Sequence, residues 1–263
     1  MNKENLKKLA QDPRFISGIY NYCDRWCERC SFTARCLNFA MENEEMDEPE
    51  NHDLESEAFW EKIEKNLTGT IELLREIAEE QGIDLHSIDT AEIEKQENRS
   101  QEEAESHELS QSARRYSKMV ERWFKKNEHL FEQRQHDMIQ ELEIGIEQSR
   151  LIKEAKNIVA ATEVILWYKH QMRIKIMRAL QHDETDVEED AIQNDSNGSA
   201  KVALIGMDRS IGAWGSLHEL FPEQTDNILD ILLHLDRLRK KTEATFPDAR
   251  SFKRPGFDAL PVA

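Results

Sequence analysis

The amino-acid sequence predicts an all-α protein, an antiparallel bundle of four to five long helices. The first observation is the scarcity of turn-forming residues. No proline occurs between Pro49 and Pro222, and the 263-residue chain contains nine glycines. A β-rich domain of this length would need many turns, which recruit both residue types. The second observation is that apolar residues recur at steps of three and four, the period of a helix with one buried face.

The first long helix is predicted from about Asp53 to Gln81. Asp53 can accept hydrogen bonds from the first turn as an N-cap, and Gly82 is a suitable C-terminal stop. The apolar stripe that defines this helix consists of Trp60, Ile63, Leu67, Ile71, Leu74 and Ala78.

The same periodicity predicts four further helices. The second runs from about Ser106 into the 130s, and the third from about Leu151 to Gln181. The fourth covers Ser199 to Phe221 and ends at Pro222, because proline cannot continue a helix. The fifth covers Thr225 to about Thr245 and is apolar on several sides, so we expect it to be well buried.

Polar and acidic stretches between the helices predict the domain organisation, since such segments cannot bury a core of their own. Phe252 and Phe257 near the end of the chain predict that the tail packs on the bundle. The predicted parts are a cysteine-rich module (1–40), an acidic linker (41–53), a helical bundle (54–246) with mobile loops near 84–106 and 183–198, and an irregular C-terminal tail packed on the bundle (247–263).

The chain is strongly acidic, with 53 Asp and Glu against 35 Lys and Arg and a formal charge of −18. This balance disfavours a nucleic-acid partner, since phosphate backbones are bound by basic surfaces. The mean hydropathy is −0.75, and no segment approaches the roughly 18 apolar residues of a membrane span. The first residues also lack the apolar core of a secretory signal. We therefore expect a cytoplasmic protein that binds neither nucleic acid nor membrane, with acidic loops that suit a protein partner.

All four cysteines fall within one short segment, as Cys23, Cys27, Cys30 and Cys36, in the pattern C-x3-C-x2-C-x5-C. Thiols stay reduced in the cytosol, so a disulfide framework is not expected. Four neighbouring thiolates are instead a ligand set for one soft metal centre. The sequence therefore predicts that these four cysteines are metal ligands.

The identity of the centre stays open between three interpretations. An iron–sulfur cluster is favoured because its ligands often come from one compact run, and Tyr20, Tyr22, Trp26 and Phe32 could shield it from water. Structural zinc usually takes two CxxC pairs separated by a dozen or more residues, whereas this segment has one such pair. A thiol–disulfide role without metal is the third interpretation. The first three cysteines also match the spacing of radical S-adenosylmethionine enzymes, but the predicted fold lacks the β/α barrel of those enzymes.

A second candidate site is predicted on the helices of the bundle. Glu163 and His170 share one face of the third predicted helix, and Asp208 and Arg209 lie on the fourth. A carboxylate and a histidine that project inward from facing helices can hold a metal or act in catalysis. The alternative is a buried ion-pair network, for example with Glu163 bound to Arg209.

Three glycines, Gly206, Gly212 and Gly215, interrupt the fourth predicted helix. Each costs about 1 kcal/mol relative to alanine inside a helix. We expect close approach of another helix to offset this cost, so that leucine at Gly206 or Gly212 would be severely destabilising.

These observations predict a metal-binding protein with an iron–sulfur cluster on its N-terminal cysteines and a redox or regulatory role. One alternative is a non-enzymatic, protein-binding bundle with structural zinc. Another is a helical-bundle enzyme with a site around Glu163, His170 and Asp208. The sequence has no phosphate-binding glycine loop, nucleophile elbow or HExxH motif, and whether it is an enzyme stays open.

Overall fold

The computed structural model describes residues 7–9, 11–46, 56–87, 89–181 and 190–258. All regular secondary structure in these ranges is helical, which confirms the predicted all-α class. The α-helices of ten or more residues are α1 (Leu37–Met46), α2 (Glu57–Glu80), α3 (Thr90–Ser106), α4 (Glu108–Glu143), α5 (Gln148–Leu180), α6 (Asp195–Leu220) and α7 (Thr225–Thr245).

The chain divides into two compact units. Unit 1 comprises Met1–Gln96 and Lys253–Ala263, and unit 2 comprises Glu97–Phe252. The bundle predicted over 54–246 therefore differs from the observed one, because α2 belongs to unit 1 together with the cysteine segment. The last residues of the chain also belong to unit 1.

Unit 2 is a bundle of long packed helices. Arg134 in the second half of α4 binds Glu154 near the start of α5, with 2.6 Å between Nε and Oε1. Arg178 near the end of α5 binds Asp195 at the start of α6, with 2.5 Å between Nη2 and Oδ1. Each pair joins a late residue of one helix to an early residue of the next, so consecutive helices are linked where one ends and the other begins.

The core of unit 2 consists of large apolar and aromatic side chains. Trp214 on α6 is fully buried and donates a hydrogen bond from its indole nitrogen to the hydroxyl of Tyr116 on α4, at 3.1 Å. Burial of each such side chain contributes roughly 1.5–3 kcal/mol. Other fully buried side chains are Leu109, Ile165, Tyr168, Met172, Ile176, Leu204, Met207, Leu217 and Ile228.

The three glycines of α6 have different surroundings. A Cβ atom on Gly206 would lie 2.8 Å from Cδ1 of Tyr168 on α5, so the predicted close approach is confirmed there. Gly212 and Gly215 have no neighbouring atom within 4 Å of such a Cβ. The prediction is wrong for these two, because no other described helix comes close to them.

α4 is longer than the sequence predicts and contains a kink. Asn127 has non-helical backbone angles (φ −113°, ψ 16°), and its buried side-chain amide donates to the carbonyl of Trp123 at 2.9 Å. Gly145 follows the helix with φ +87°, a conformation that glycine adopts at little cost. The chain turns at this glycine, and α5 begins at Gln148.

α2 has the predicted apolar stripe, but the stripe faces outward. Trp60, Leu67, Ile71 and Leu74 are each between 47% and 58% exposed. The side chain of Ala78, at the C-terminal end of the helix, is buried. Periodicity therefore located the helix and its apolar face correctly, without showing that this face is left uncovered.

The predicted connectors are only partly irregular. The stretch 84–106 is mostly helical, because α3 occupies all of it from Thr90 onward. This helix is strongly polar, and Ala104 is its buried residue. α1 occupies the first part of the predicted linker 41–53, whose remainder lies outside the described residues. In 183–198, α6 already begins at Asp195, and 182–189 lie outside the described residues.

None of the helices among the described residues combines the length and apolar character needed to cross a lipid bilayer.

Candidate metal centre

The cysteine segment folds as two consecutive 3-10 turns, Cys27–Arg29 and Thr33–Arg35, each followed directly by a cysteine. The amide of Cys30 donates to the carbonyl of Cys27 at 3.1 Å, and the amide of Cys36 donates to that of Thr33 at 3.2 Å. Both closing cysteines have extended backbone angles. The repeated turn brings successive cysteines back to one side of the chain.

A strained residue lies between the first two cysteines. Arg25 has φ +57°, and it is the one non-glycine residue with positive φ among the described residues. The left-handed conformation costs roughly 1–2 kcal/mol for a residue with a Cβ atom, and such strain is concentrated at binding and active sites. The strain at Arg25 therefore points to a constrained site between Cys23 and Cys27.

All four cysteines line one small pocket. Each is half-buried and free of disulfide bonds. The cavity between them measures about 20 Å³, which is room for one water-sized object. The other side chains that line it are Ile19, Tyr20, Asp24, Arg25, Trp26, Phe32, Thr33, Phe39 and Phe257.

The sulfur atoms do not yet converge on one point. Among the described residues, no three or more His, Cys, Asp or Glu side chains form a group that could hold a metal ion as they stand. Four sulfurs around a single zinc ion would lie about 3.8 Å from one another, given Zn–S bonds of about 2.3 Å. Binding of a centre therefore requires the cysteine side chains to adjust.

Hydrogen bonds and charge set the chemistry of these thiols. The amide of Phe32 donates to the sulfur of Cys30 at 3.4 Å, and such bonds tune the electron density of a ligating sulfur. Burial, together with the nearby charges of Glu42 and the other three cysteines, raises the pKa of the Cys27 thiol to about 11. A metal must therefore displace the Cys27 proton, as is general for thiolate ligands.

Basic and aromatic side chains surround the cysteines. The guanidinium of Arg29 stacks over the ring of Trp26, with 4.1 Å between its carbon and the ring centroid. Arg25 also lines the pocket. Positive charge at this place offsets part of the negative charge that several thiolates would carry around a metal.

One wall of the pocket comes from the end of the chain. The ring of Phe257 meets the ring of Phe32 edge-on, with 5.0 Å between centroids. The two phenylalanines of the tail predict that it packs on the bundle. Phe252 fits that expectation, since it is buried and its carbonyl accepts a hydrogen bond from Lys201 on α6. Phe257 instead lies in the cysteine pocket, a contact that no spacing in the sequence indicates.

The second candidate site does not form a buried cluster. Glu163, His170 and Arg209 are exposed, and Asp208 is about one-third exposed. His170 Nδ1 lies 3.3 Å from the hydroxyl of Ser117 on α4. The structure thus gives no support to a catalytic or metal site at these four residues.

Asp208 instead belongs to an ion-pair group near the end of α7. Its carboxylate binds Arg250 at 2.6 Å and Arg239 at 3.4 Å. Arg209 donates to the hydroxyl of Tyr168. Asp208 thus belongs to a partly exposed ion-pair group, whereas the alternative predicted from the sequence was a buried network with Glu163 bound to Arg209.

No family model, curated protein or solved structure matches this chain. The candidate function consequently rests on the geometry of the cysteine pocket alone.

Proposed function

We propose that Cys23, Cys27, Cys30 and Cys36 together bind one inorganic centre, an iron–sulfur cluster, and that the protein has a redox or regulatory role. The observation that carries this proposal is that all four cysteines of the chain line a single pocket. Thiolate sulfur is the ligand of iron–sulfur clusters. Four thiols in one pocket supply four cluster ligands from this chain alone.

The small core of unit 1 also supports a bound centre. Among its described residues, Ile19 and Ala78 are the only buried hydrophobic side chains, whereas unit 2 has a large core. Small units with little core usually need a cross-link such as a disulfide or a metal. The cysteines form no disulfide bonds, so a metal centre is a cross-link that they can supply.

Aromatic enclosure favours a cluster as the form of this centre. Tyr20, Trp26, Phe32, Phe39 and Phe257 surround the cysteines. Apolar surroundings limit solvent access, which protects a cluster and tunes its reduction potential. When bound, a cluster would supply one-electron chemistry, while the chain would exclude water and donate the Phe32 amide to the Cys30 sulfur.

Structural zinc is a second candidate, favoured by the size of the pocket. A cavity of about 20 Å³ suits a single ion better than a cluster. Binding of a cluster would require the cysteine loop to move outward. Zinc with four thiolates would cross-link the module without redox chemistry.

Anaerobic purification followed by analysis of iron, acid-labile sulfide and zinc tests both candidates. We expect a brown protein with iron and sulfide in equal amounts, and reversible bleaching on reduction. Colourless protein with one zinc per chain would replace the cluster by the second candidate. Protein without any metal after reconstitution with iron and sulfide, or with zinc, would remove the proposal.

Variants locate the centre on the chain. Cys30→Ser should lose most of the bound metal, and Ser31→Ala in the same loop should retain it, because Ser31 is exposed. Equal metal content in the two variants would show that the metal is bound elsewhere.

A further inference from the structure

The segment from Arg254 to Asp258 is a compact turn that presents Phe257 to the cysteine module. The guanidinium of Arg254 binds the carboxylate of Asp258 at 2.9 Å, and the backbone amide of Arg254 donates to the same carboxylate at 3.0 Å. The Arg254 guanidinium also lies 4.8 Å from the centroid of the Phe257 ring. These contacts hold the aromatic ring in a defined place at low entropic cost.

Gly256 permits the close approach of this turn. It has φ +76°, and a Cβ atom there would lie 2.9 Å from the Cδ1 atoms of both Ile16 and Ile19. Ile19 is the buried apolar residue directly before the cysteine segment. The turn therefore packs its backbone closely against Ile19 at the cysteine pocket, and a residue with a Cβ atom at this position would be strained and would displace both isoleucine side chains.

Phe257 also contacts the pocket itself. Its ring meets that of Phe32 at 5.0 Å between centroids, and it lines the same cavity as all four cysteines. The pocket is thus incomplete without a residue that follows Cys36 only after the whole of unit 2.

We propose that the segment from Arg254 to Asp258 is the closing wall of the metal site, and that Phe257 retains the bound centre by excluding water and competing ligands. This inference rests on the proposed metal function and adds a positioning residue to it. Residues that support metal ligands without touching the metal typically change affinity by about 10- to 100-fold.

Closure and metal loading must stabilise each other. A centre that binds more tightly to the closed pocket raises the equilibrium constant for docking of the segment. Docking raises the affinity for the centre by the same factor. The metal-loaded protein should therefore hold the C-terminal segment more firmly than the metal-free protein does.

The rate of metal release to an excess of chelator tests the proposal. We expect Phe257→Ala to release metal about 10-fold faster than the wild-type protein, and Phe257→Leu to restore most of the retention. Phe15→Ala is the matched control. Phe15 is a partly exposed phenylalanine of the same unit that does not line the pocket, so this variant should release metal at the wild-type rate.

Limited trypsin digestion at Lys253 supplies an independent measurement. Lys253 is exposed and directly precedes the turn, so loss of docking should speed cleavage. We expect faster cleavage in metal-free protein and in Phe257→Ala than in loaded wild-type protein. Helix content from circular dichroism separates this effect from loss of the bundle.

The outcomes distinguish failure of the proposed metal function from failure of the closing wall. A wild-type protein that binds no metal overturns the proposed function. A wild-type protein that binds metal, with Phe257→Ala and Phe15→Ala releasing it at the same rate, overturns the closing wall and leaves the metal site in place. Faster release from both variants alike would indicate general loosening of unit 1 and would also overturn the role of Phe257.

Discussion

Gly206 and Gly212 lie on the same helix and have opposite surroundings. Periodicity alone could show that both belong to α6, but not which of them faces another helix. A Cβ at Gly206 meets the buried ring of Tyr168, whereas a Cβ at Gly212 meets no atom within 4 Å. The contact surface of a helix depends on where its neighbour packs, and this information is spread over the whole sequence.

Alanine at these two glycines should change stability in opposite directions. Gly206→Ala should destabilise unit 2 by about 1–3 kcal/mol, because it forces Tyr168 from a filled core. Gly212→Ala should stabilise it by up to about 1 kcal/mol through helix propensity. Urea unfolding followed by circular dichroism measures both. A stabilised Gly206→Ala variant would show that α5 and α6 can separate without cost.

The stability of unit 2 should fall at alkaline pH because of Tyr116. Burial raises the pKa of Tyr116 to about 12, whereas an unfolded tyrosine titrates near ~10. The contribution of neutral Tyr116 to the free energy of unfolding is therefore fully present below about pH 10. It is lost as the pH rises towards about 12, which lowers the free energy of unfolding by roughly 3 kcal/mol.

Tyr116→Phe tests this pH dependence. The difference in unfolding free energy between wild type and variant should shrink between pH 9 and pH 11. A constant difference would mean that Tyr116 has the same pKa in the folded and the unfolded protein. The variant leaves the indole nitrogen of Trp214 without its acceptor, so it should be less stable than wild type at pH 7 by about 1–3 kcal/mol.

At the scale of elements, the sequence predicts best those helices whose limits are marked chemically. The bounds of α7 agree with the prediction, because Pro222 ends the preceding helix and the following run is apolar on several sides. α3 was predicted as a loop, since its residues are almost all charged or polar. A helix that buries one residue leaves no apolar pattern to detect.

The turn between α4 and α5 should depend on the backbone freedom of Gly145. Its φ is +87°, and no atom lies near its Cβ direction. Gly145→Val should therefore destabilise by about 1–2 kcal/mol through backbone strain alone. Gly145→Asn should cost less, because asparagine enters this region more readily. Thermal unfolding of the two variants checks the order, and equal melting temperatures would contradict it.

At the scale of the whole molecule, the two units differ in what stabilises them. Unit 2 has a large core, but periodicity did not determine which apolar residues enter it: Leu229 and Leu233 on α7, a helix expected to be well buried, are about half exposed. Unit 1 has two buried apolar residues among those described, and its four cysteines line one pocket. The position of the candidate site was predictable because cysteine is rare and clustered. The wall supplied by Phe257 was not predictable, since it is remote in sequence and carries no distinctive spacing.

If unit 1 binds a metal as proposed, loss of that metal should loosen unit 1 and spare unit 2. In the Cys27→Ser/Cys30→Ser double variant, we expect amide hydrogens of residues 11–46 to exchange faster than in loaded wild type. Those in the cores of α5 and α6 should exchange at the wild-type rate. Mass spectrometry of peptides after deuterium labelling measures both regions in one sample. Unchanged exchange over residues 11–46 would show that unit 1 needs no cross-link.

The placement of Phe257 also imposes an order on biogenesis. During translation the cysteines emerge long before the aromatic ring that encloses them, and the helices of unit 2 are made in between. In the nascent chain, the four thiols are therefore not yet covered by the ring of Phe257. On the proposed function, a metal-delivery system would have access to the thiols during that interval, and Phe257 could complete the pocket only after its own synthesis.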